Sequence, residues 1–141
     1  MNDIMNWDQC KKEFTRNVEV DPEKIESMIK TAESRLNYIK TTKVSEENVS
    51  FVVEGYYEVI KEILVALLLS KGLRSKNHQC LISYFYKFYP NYEAEVHIIS
   101  QMSYLRNRLD YYGEEIDYGF YDKNKLEFEK IIKILLNIIK K

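Results

Sequence analysis

A chain of 141 residues, 45% hydrophobic and 30% charged, has the size and mixture of one folded domain, and a net charge of −1 leaves no bulk basic footprint for nucleic acid or acidic lipid. Four Gly and two Pro exclude a many-stranded sandwich or barrel, which needs a turn signal every ~8–12 residues. No uncharged run exceeds ten residues (Asn77–Tyr86 is one), well short of the ~20 that cross a bilayer, and the first ten residues hold no signal-peptide core. These observations predict a cytoplasmic protein with no membrane partner. The only cysteines, Cys10 and Cys80, have no Cys or His at metal-ligand spacing, so no metal site or cofactor is expected; a single bridge between them is open, and in the cytosol two reduced thiols are expected ahead of it.

The apolar pattern is helical almost throughout. Residues 5–15 read as a short first helix with Trp7, Cys10 and Phe14 on one side. A linker ends at Asp21-Pro22, where Asp21 accepts first-turn amide hydrogens and Pro22 sits where a missing N–H is harmless. Ile25, Met28, Ile29, Ala32, Leu36 and Ile39 then recur by threes and fours, predicting a helix over about 22–42. A second long helix is predicted to open at Ser45-Glu46-Glu47-Asn48, with acidic residues in its first turn matching its dipole, and to run on from Val49 through Ser70. It is apolar on nearly every side from Val59 to Leu69, as a central helix must be, and Gly72 caps it in the left-handed conformation. A third helix should begin at Ser75 and stop before Pro90, and a fourth near Asn91, with Ile98, Met102, Leu105, Leu109 and Tyr112 as its seam. Gly113 and Gly119 bracket a break. The last helix is predicted from Asn124, which forms a capping pair with Glu127. The pattern predicts an all-α fold built on five apolar helical stripes, with residues 1–20 as an extension of a single domain.

Catalytic side chains are scarce. Only His78 and His97 are present, neither beside a nucleophile signature, and there is no Gly-rich phosphate loop. The distinctive stretch is Arg106-Asn107-Arg108-Leu109-Asp110-Tyr111-Tyr112-Gly113. Arginine offers a planar fork matched to phosphate oxygens, and tyrosine stacks on bases or donates a hydrogen bond. This marks Arg106, Asn107, Arg108, Tyr111 and Tyr112 as a candidate phosphate or nucleotide site. The bland alternative pairs Arg106 with Asp110 one turn on and uses Gly113 as a helix cap. Asn77 and His78, at the start of the third long helix, are secondary candidates whose bland role is capping and packing.

At this stretch the sequence resembles the HEPN family, small helical domains that accompany minimal nucleotidyltransferases in prokaryotes. Members carry an Arg, then a polar residue, then three residues and a His. Here Arg106 and Asn107 are followed by Arg108, Leu109, Asp110 and then Tyr111 in place of the His. The run Tyr56–Gly72 looks like the family's long second core helix, Lys76–Ile82 like its sequel, and Ala32, Arg35 and Leu36 fit its first helix, so the resemblance covers roughly residues 20–140. It implies a compact up-and-down bundle of four to five helices, residues 21–141, that dimerises around the motif helix. It also implies action beside a nucleotidyltransferase-like partner in a toxin–antitoxin-type module, and RNA or nucleotide as ligand.

Active members are resembled by metal-independent ribonucleases, in which the Arg steadies the scissile phosphate and the His moves protons. The candidates for those roles here are Arg106 and Tyr111. With a reference pKa near ~10 against ~6.5 for histidine, tyrosine makes a poor general base at neutral pH. The expectation is therefore a dimeric nucleotide- or RNA-binding accessory protein that is catalytically weak or inactive. The alternatives are an active ribonuclease toxin and a purely structural interaction module. About 140° separates Arg106 from Tyr111 on a helix, since each residue turns it by ~100°, and a two-fold dimer is one way to converge both on one phosphate.

Overall fold

The structure, a computed structural model, describes residues 4–141. Six α-helices form an all-α fold: α1 (Trp7–Glu13), α2 (Pro22–Lys40), α3 (Val49–Ser70), α4 (His78–Phe88), α5 (Glu93–Tyr112) and α6 (Tyr118–Ile139). The one sheet among the described residues is a two-stranded antiparallel ribbon, β1 (Thr15–Asn17) with β2 (Leu73–Ser75). No helix of the described residues is long and apolar enough to cross a membrane.

Helix α3 is the axis of the bundle, packing against α2, α4, α5 and α6. Its sequence explains this, because Val52, Val53, Ile60, Ile63, Leu64, Leu67 and Leu68 form one broad buried face, and Val59, Ala66 and Leu69, also buried, widen it to most of the circumference. The helix starts at Val49 rather than at Ser45, because Asn48 Oδ1 accepts the Ser45 N–H at 2.8 Å and holds residues 45–48 in a turn. Burying an aliphatic side chain of this size contributes roughly 1.5–3 kcal/mol each, so α3 is held by packing on several sides. It ends where Gly72 takes φ +73°, a left-handed conformation that glycine adopts without steric penalty. That turn brings the Gly72 carbonyl to the Val18 N–H, 2.9 Å away, and starts the ribbon. A Cβ at Gly72 would lie 3.3 Å from the Val18 carbonyl oxygen, so the close approach also favours glycine.

Most elements follow the sequence reading, with informative departures. Asp21 accepts from the Lys24 N–H at 3.2 Å and starts α2 at Pro22. The third long helix begins at His78, not Ser75, because residues 73–75 are drawn into the ribbon and Asn77 accepts the Gln79 N–H at 2.9 Å. A short 3-10 turn, Pro90–Tyr92, precedes α5. The last helix begins six residues before Asn124. Asn124 lies inside it and donates to the Phe120 carbonyl at 2.9 Å. Tyr118, Tyr121 and Phe120 pack on the core there, and aromatic burial outweighs the helix penalty of Gly119, ~1 kcal/mol.

The extension is woven into this core. Trp7 is buried edge-on against Tyr84, with ring centroids 5.2 Å apart, and Ser83 Oγ donates to the Met5 carbonyl at 2.7 Å. Cys10 and Cys80 form a disulfide between α1 and α4, with both residues fully buried and their Cα atoms 5.5 Å apart. This corrects the expectation of two reduced thiols. Seventy residues of intervening sequence hid the fact that Trp7 packs α1 onto α4 and brings the two sulfurs together.

Candidate functional site

Where the ribbon, the start of α4 and the C-terminal half of α5 meet, they enclose an open cavity of about 850 Å³. That lies within the usual ~300–1,000 Å³ of small-molecule sites. The end of α1 and β1 supply Glu13, Phe14, Thr15 and Arg16. The segment after α3 supplies Arg74, Lys76, Asn77, His78 and Gln79. Helix α5 supplies Ser103, Arg106, Asn107 and Tyr111, and Tyr57 of α3 forms the floor. Gln79 Nε2 donates to Ser103 Oγ at 2.8 Å and ties α4 to α5 at this floor. The Tyr57 phenol hydrogen-bonds to Ser103 as well, and burial pushes its pKa up, so it stays a neutral donor and acceptor.

The lining is strongly biased in charge. The chain has five arginines, and three of them, Arg16, Arg74 and Arg106, line this one cavity with Lys76, against Glu13 as the single lining carboxylate among the described residues. A local basic concavity therefore exists on a chain of net charge −1.

The motif divides by helix face. Arg106, Asn107 and Tyr111 fall within ~140° of arc and line the cavity, so a single chain brings Arg106 and Tyr111 to the same concavity without a second copy. Arg108 and Tyr112, one turn apart on the other side, are not among its lining residues. Arg108 instead stacks over the Tyr112 ring, 4.4 Å from its centroid, and makes a two-pronged ion pair with Glu114, its Nε 2.9 Å from Oε2. That hydrogen-bonded pair holds the exposed Glu114 carboxyl below the usual carboxylate range. Gly113 caps α5 at φ +65°, allowing the chain to turn so that Glu114 reaches back. The secondary candidates Asn77 and His78 do reach the cavity, where Asn77 also serves as the α4 cap. His97 is instead a half-exposed residue near Glu93, 3.7 Å away.

Arg106 shows both behaviours weighed from the sequence. It is an ion-pair partner of Asp110 (Nε to Oδ2, 3.1 Å) and of Glu58 (Nη2 to Oε1, 3.5 Å), and it lines the cavity. The Asp110 contact is ionic rather than a well-directed hydrogen bond, for the buried Nε hydrogen has no acceptor in line among the described residues. Glu58 in turn pairs with Lys61 at 2.7 Å. Glu54, beside Asp110, has its carboxyl pKa raised, first by burial and then by a hydrogen bond to Asp110. His78 is shifted the other way. Burial lowers its pKa, and the positive charges of Lys61 and Arg106 lower it further, so its imidazole is neutral at pH 7.

Sequence reasoning missed Arg16, Arg74 and Lys76. No periodic signal marks a three-residue strand, and the surviving hint was Arg74-Ser75-Lys76 standing directly before the Asn77-His78 pair.

An all-α bundle with a basic cavity at the polar face of its α5 is the class of protein that fold and site define. The HEPN domain family profile matches residues 19–141, nearly the whole chain, and the chain belongs to the HEPN family. No curated protein and no solved structure matches it.

Proposed function

We propose that the protein binds RNA or a nucleotide through the cavity between the ribbon, α4 and α5, and that it is weak or inactive as a ribonuclease. The observation that carries this reading is the convergence of three of five arginines and Lys76 on a single concavity that also holds Asn107, Tyr111 and Asn77. Guanidinium forks match phosphate oxygens, amides read base edges, and an exposed tyrosine offers a stacking surface. The family's habit supports a homodimer formed around α5. So does the exposure of Tyr111 (75%) and Tyr112 (68%), large rings of the kind that interfaces cover. A nucleotidyltransferase-type partner, in a toxin–antitoxin-like arrangement, is the accessory role that fits the family.

Fluorescence anisotropy with a labelled single-stranded RNA at low salt tests the reading. Arg106→Ala removes a charge-assisted contact worth ~1.5–3 kcal/mol and is expected to weaken binding roughly tenfold to a hundredfold. Because the alanine also strands Glu58 and Asp110, Arg106→Lys is the control that keeps the charge and removes the fork. Absence of any RNA or nucleotide binding by the wild type, with early melting of the alanine variant, would leave Arg106 a structural residue.

One observation favours a second reading, a metal-independent ribonuclease. His78 shares the cavity with Arg106 and is held neutral, the state in which an imidazole accepts a proton from a ribose 2′-OH. Chelator-resistant cleavage of mixed RNA, lost in His78→Gln, would establish it.

A further inference from the structure

The ribbon sets a problem that the rest of the surface avoids. Of the five arginines, Arg35 pairs with Glu62 at 2.7 Å, Arg106 with Glu58 and Asp110, and Arg108 with Glu114. The side chains of Arg16 and Arg74 have no hydrogen-bond or ion-pair partner among the described residues. These two are also directly opposite each other in the β1–β2 ladder. Residues so paired place their Cβ atoms only ~4.5–5.5 Å apart, and like charges at that position destabilise the pair. Both line the cavity, and Lys76, two residues beyond Arg74, lines it as well. Three cations are thus gathered on one wall, with Glu13 as the one carboxylate lining the cavity among the described residues.

We propose that Arg16 and Arg74, with Lys76, form a second phosphate subsite, so that the cavity holds a single nucleic-acid strand by two successive phosphates. One phosphate lies at Arg106 on the α5 wall and the next at the ribbon. This rests on the nucleotide or RNA reading of the cavity and specifies its ligand. An anion seated between the two facing guanidinium groups converts their repulsion into a pair of charge-assisted contacts. The two subsites are built on separate elements across an open cavity. That suits phosphodiesters, which a sugar separates, better than the phosphates of a nucleoside polyphosphate, which share a bridging oxygen. Arg16 precedes the family-matched region while Arg74 and Lys76 lie inside it, so the N-terminal segment supplies one of the three cations.

The test measures binding of a short fluorescein-labelled single-stranded RNA against salt concentration. The proteins compared are wild type, Arg16→Gln/Arg74→Gln and Arg106→Lys. Each neutralised phosphate contributes ~0.7 to the slope of log K against log salt, and the two arginines share one phosphate, so the double variant is expected to lose about 0.7 of that slope. Its affinity is expected to fall roughly twofold to thirtyfold, as for two exposed charge contacts. Its melting temperature should be unchanged or higher, because the repulsion is gone.

An unchanged slope overturns the second subsite alone, provided that Arg106→Lys still weakens the RNA. Earlier melting of the double variant also overturns it, by showing that the arginines hold the ribbon. Loss of binding in the double variant but not in Arg106→Lys keeps the ribbon subsite and removes Arg106 from the site. A wild type that binds no RNA removes both. Competition by unlabelled pNpN and by ATP separates the sources. Displacement by ATP alone, sensitive to the ribbon substitutions, overturns the strand assignment.

Discussion

Reducing the Cys10–Cys80 disulfide adds two hydrogens to buried sulfurs and otherwise preserves their packing, so its effect isolates the cross-link itself. The bond spans 70 residues of sequence. In the chain-entropy treatment a loop of that length removes about 15 cal/mol/K from the unfolded ensemble, or about 4 kcal/mol at 25 °C. Unfolding entropy of ~2.1 cal/mol/K per residue over 141 residues comes to about 300 cal/mol/K, so the melting temperature should fall by about 15 °C on reduction. The assay is thermal melting by circular dichroism with and without a phosphine reductant, paired with thiol titration in denaturant. Unreduced protein should show no reactive thiol and reduced protein two. Two free thiols in the unreduced protein, or a melting shift below about 5 °C, would refute the reasoning. The first result would mean that the bond is absent, the second that α1 releases locally without unfolding the bundle.

The Ile116 N–H donates to Ser50 Oγ at 2.7 Å in a buried position, and Ser50→Ala is expected to destabilise by ~1–3 kcal/mol in chemical denaturation, since a buried donor loses its acceptor. His78 resists protonation in the folded state, so it lowers stability as pH falls below its unfolded value near 6.5. His78→Asn should flatten the melting-temperature profile on that acid side and leave it alone above neutrality. Glu54 has its pKa raised, so its charged form is disfavoured at neutral pH. Glu54→Gln should raise the melting temperature at pH 7–8, with the gain disappearing as pH drops below the ordinary carboxylate value.

What was legible in the sequence was what periodicity carries. Helix α3 announced itself as central because its apolar residues cover most of its circumference and confine Glu54, Glu58, Lys61 and Glu62 to one narrow strip, and Asp21-Pro22 and Gly113 marked ends that local backbone chemistry alone decides. The start of α6 was not legible, because Gly119 looks like a breaker until Tyr118 and Tyr121 are seen to have a core to bury into. The ribbon and the disulfide were invisible for a related reason. Both depend on residues 10–17 meeting residues 73–80, a tertiary event with no local signature. The site was half legible. Arg106, Asn107 and Tyr111 were found as a motif, yet Arg108 and Tyr112 were grouped with them. Helical geometry sends that pair to a different face, where Glu114 meets Arg108.

The pairing of β1 with β2 also bears on how the chain can be shortened. A fragment cut to residues 19–141 would keep everything by which the family profile recognises it. It would also lose Trp7, leaving Tyr84 and Phe88 without the ring they pack on, and leave Cys80 a lone thiol. The backbone of Leu73–Ser75 would face solvent with its ladder partners gone, and an unpaired strand edge beside freshly bared aromatic rings is a template for self-association. Such a fragment is expected to aggregate where the full chain does not.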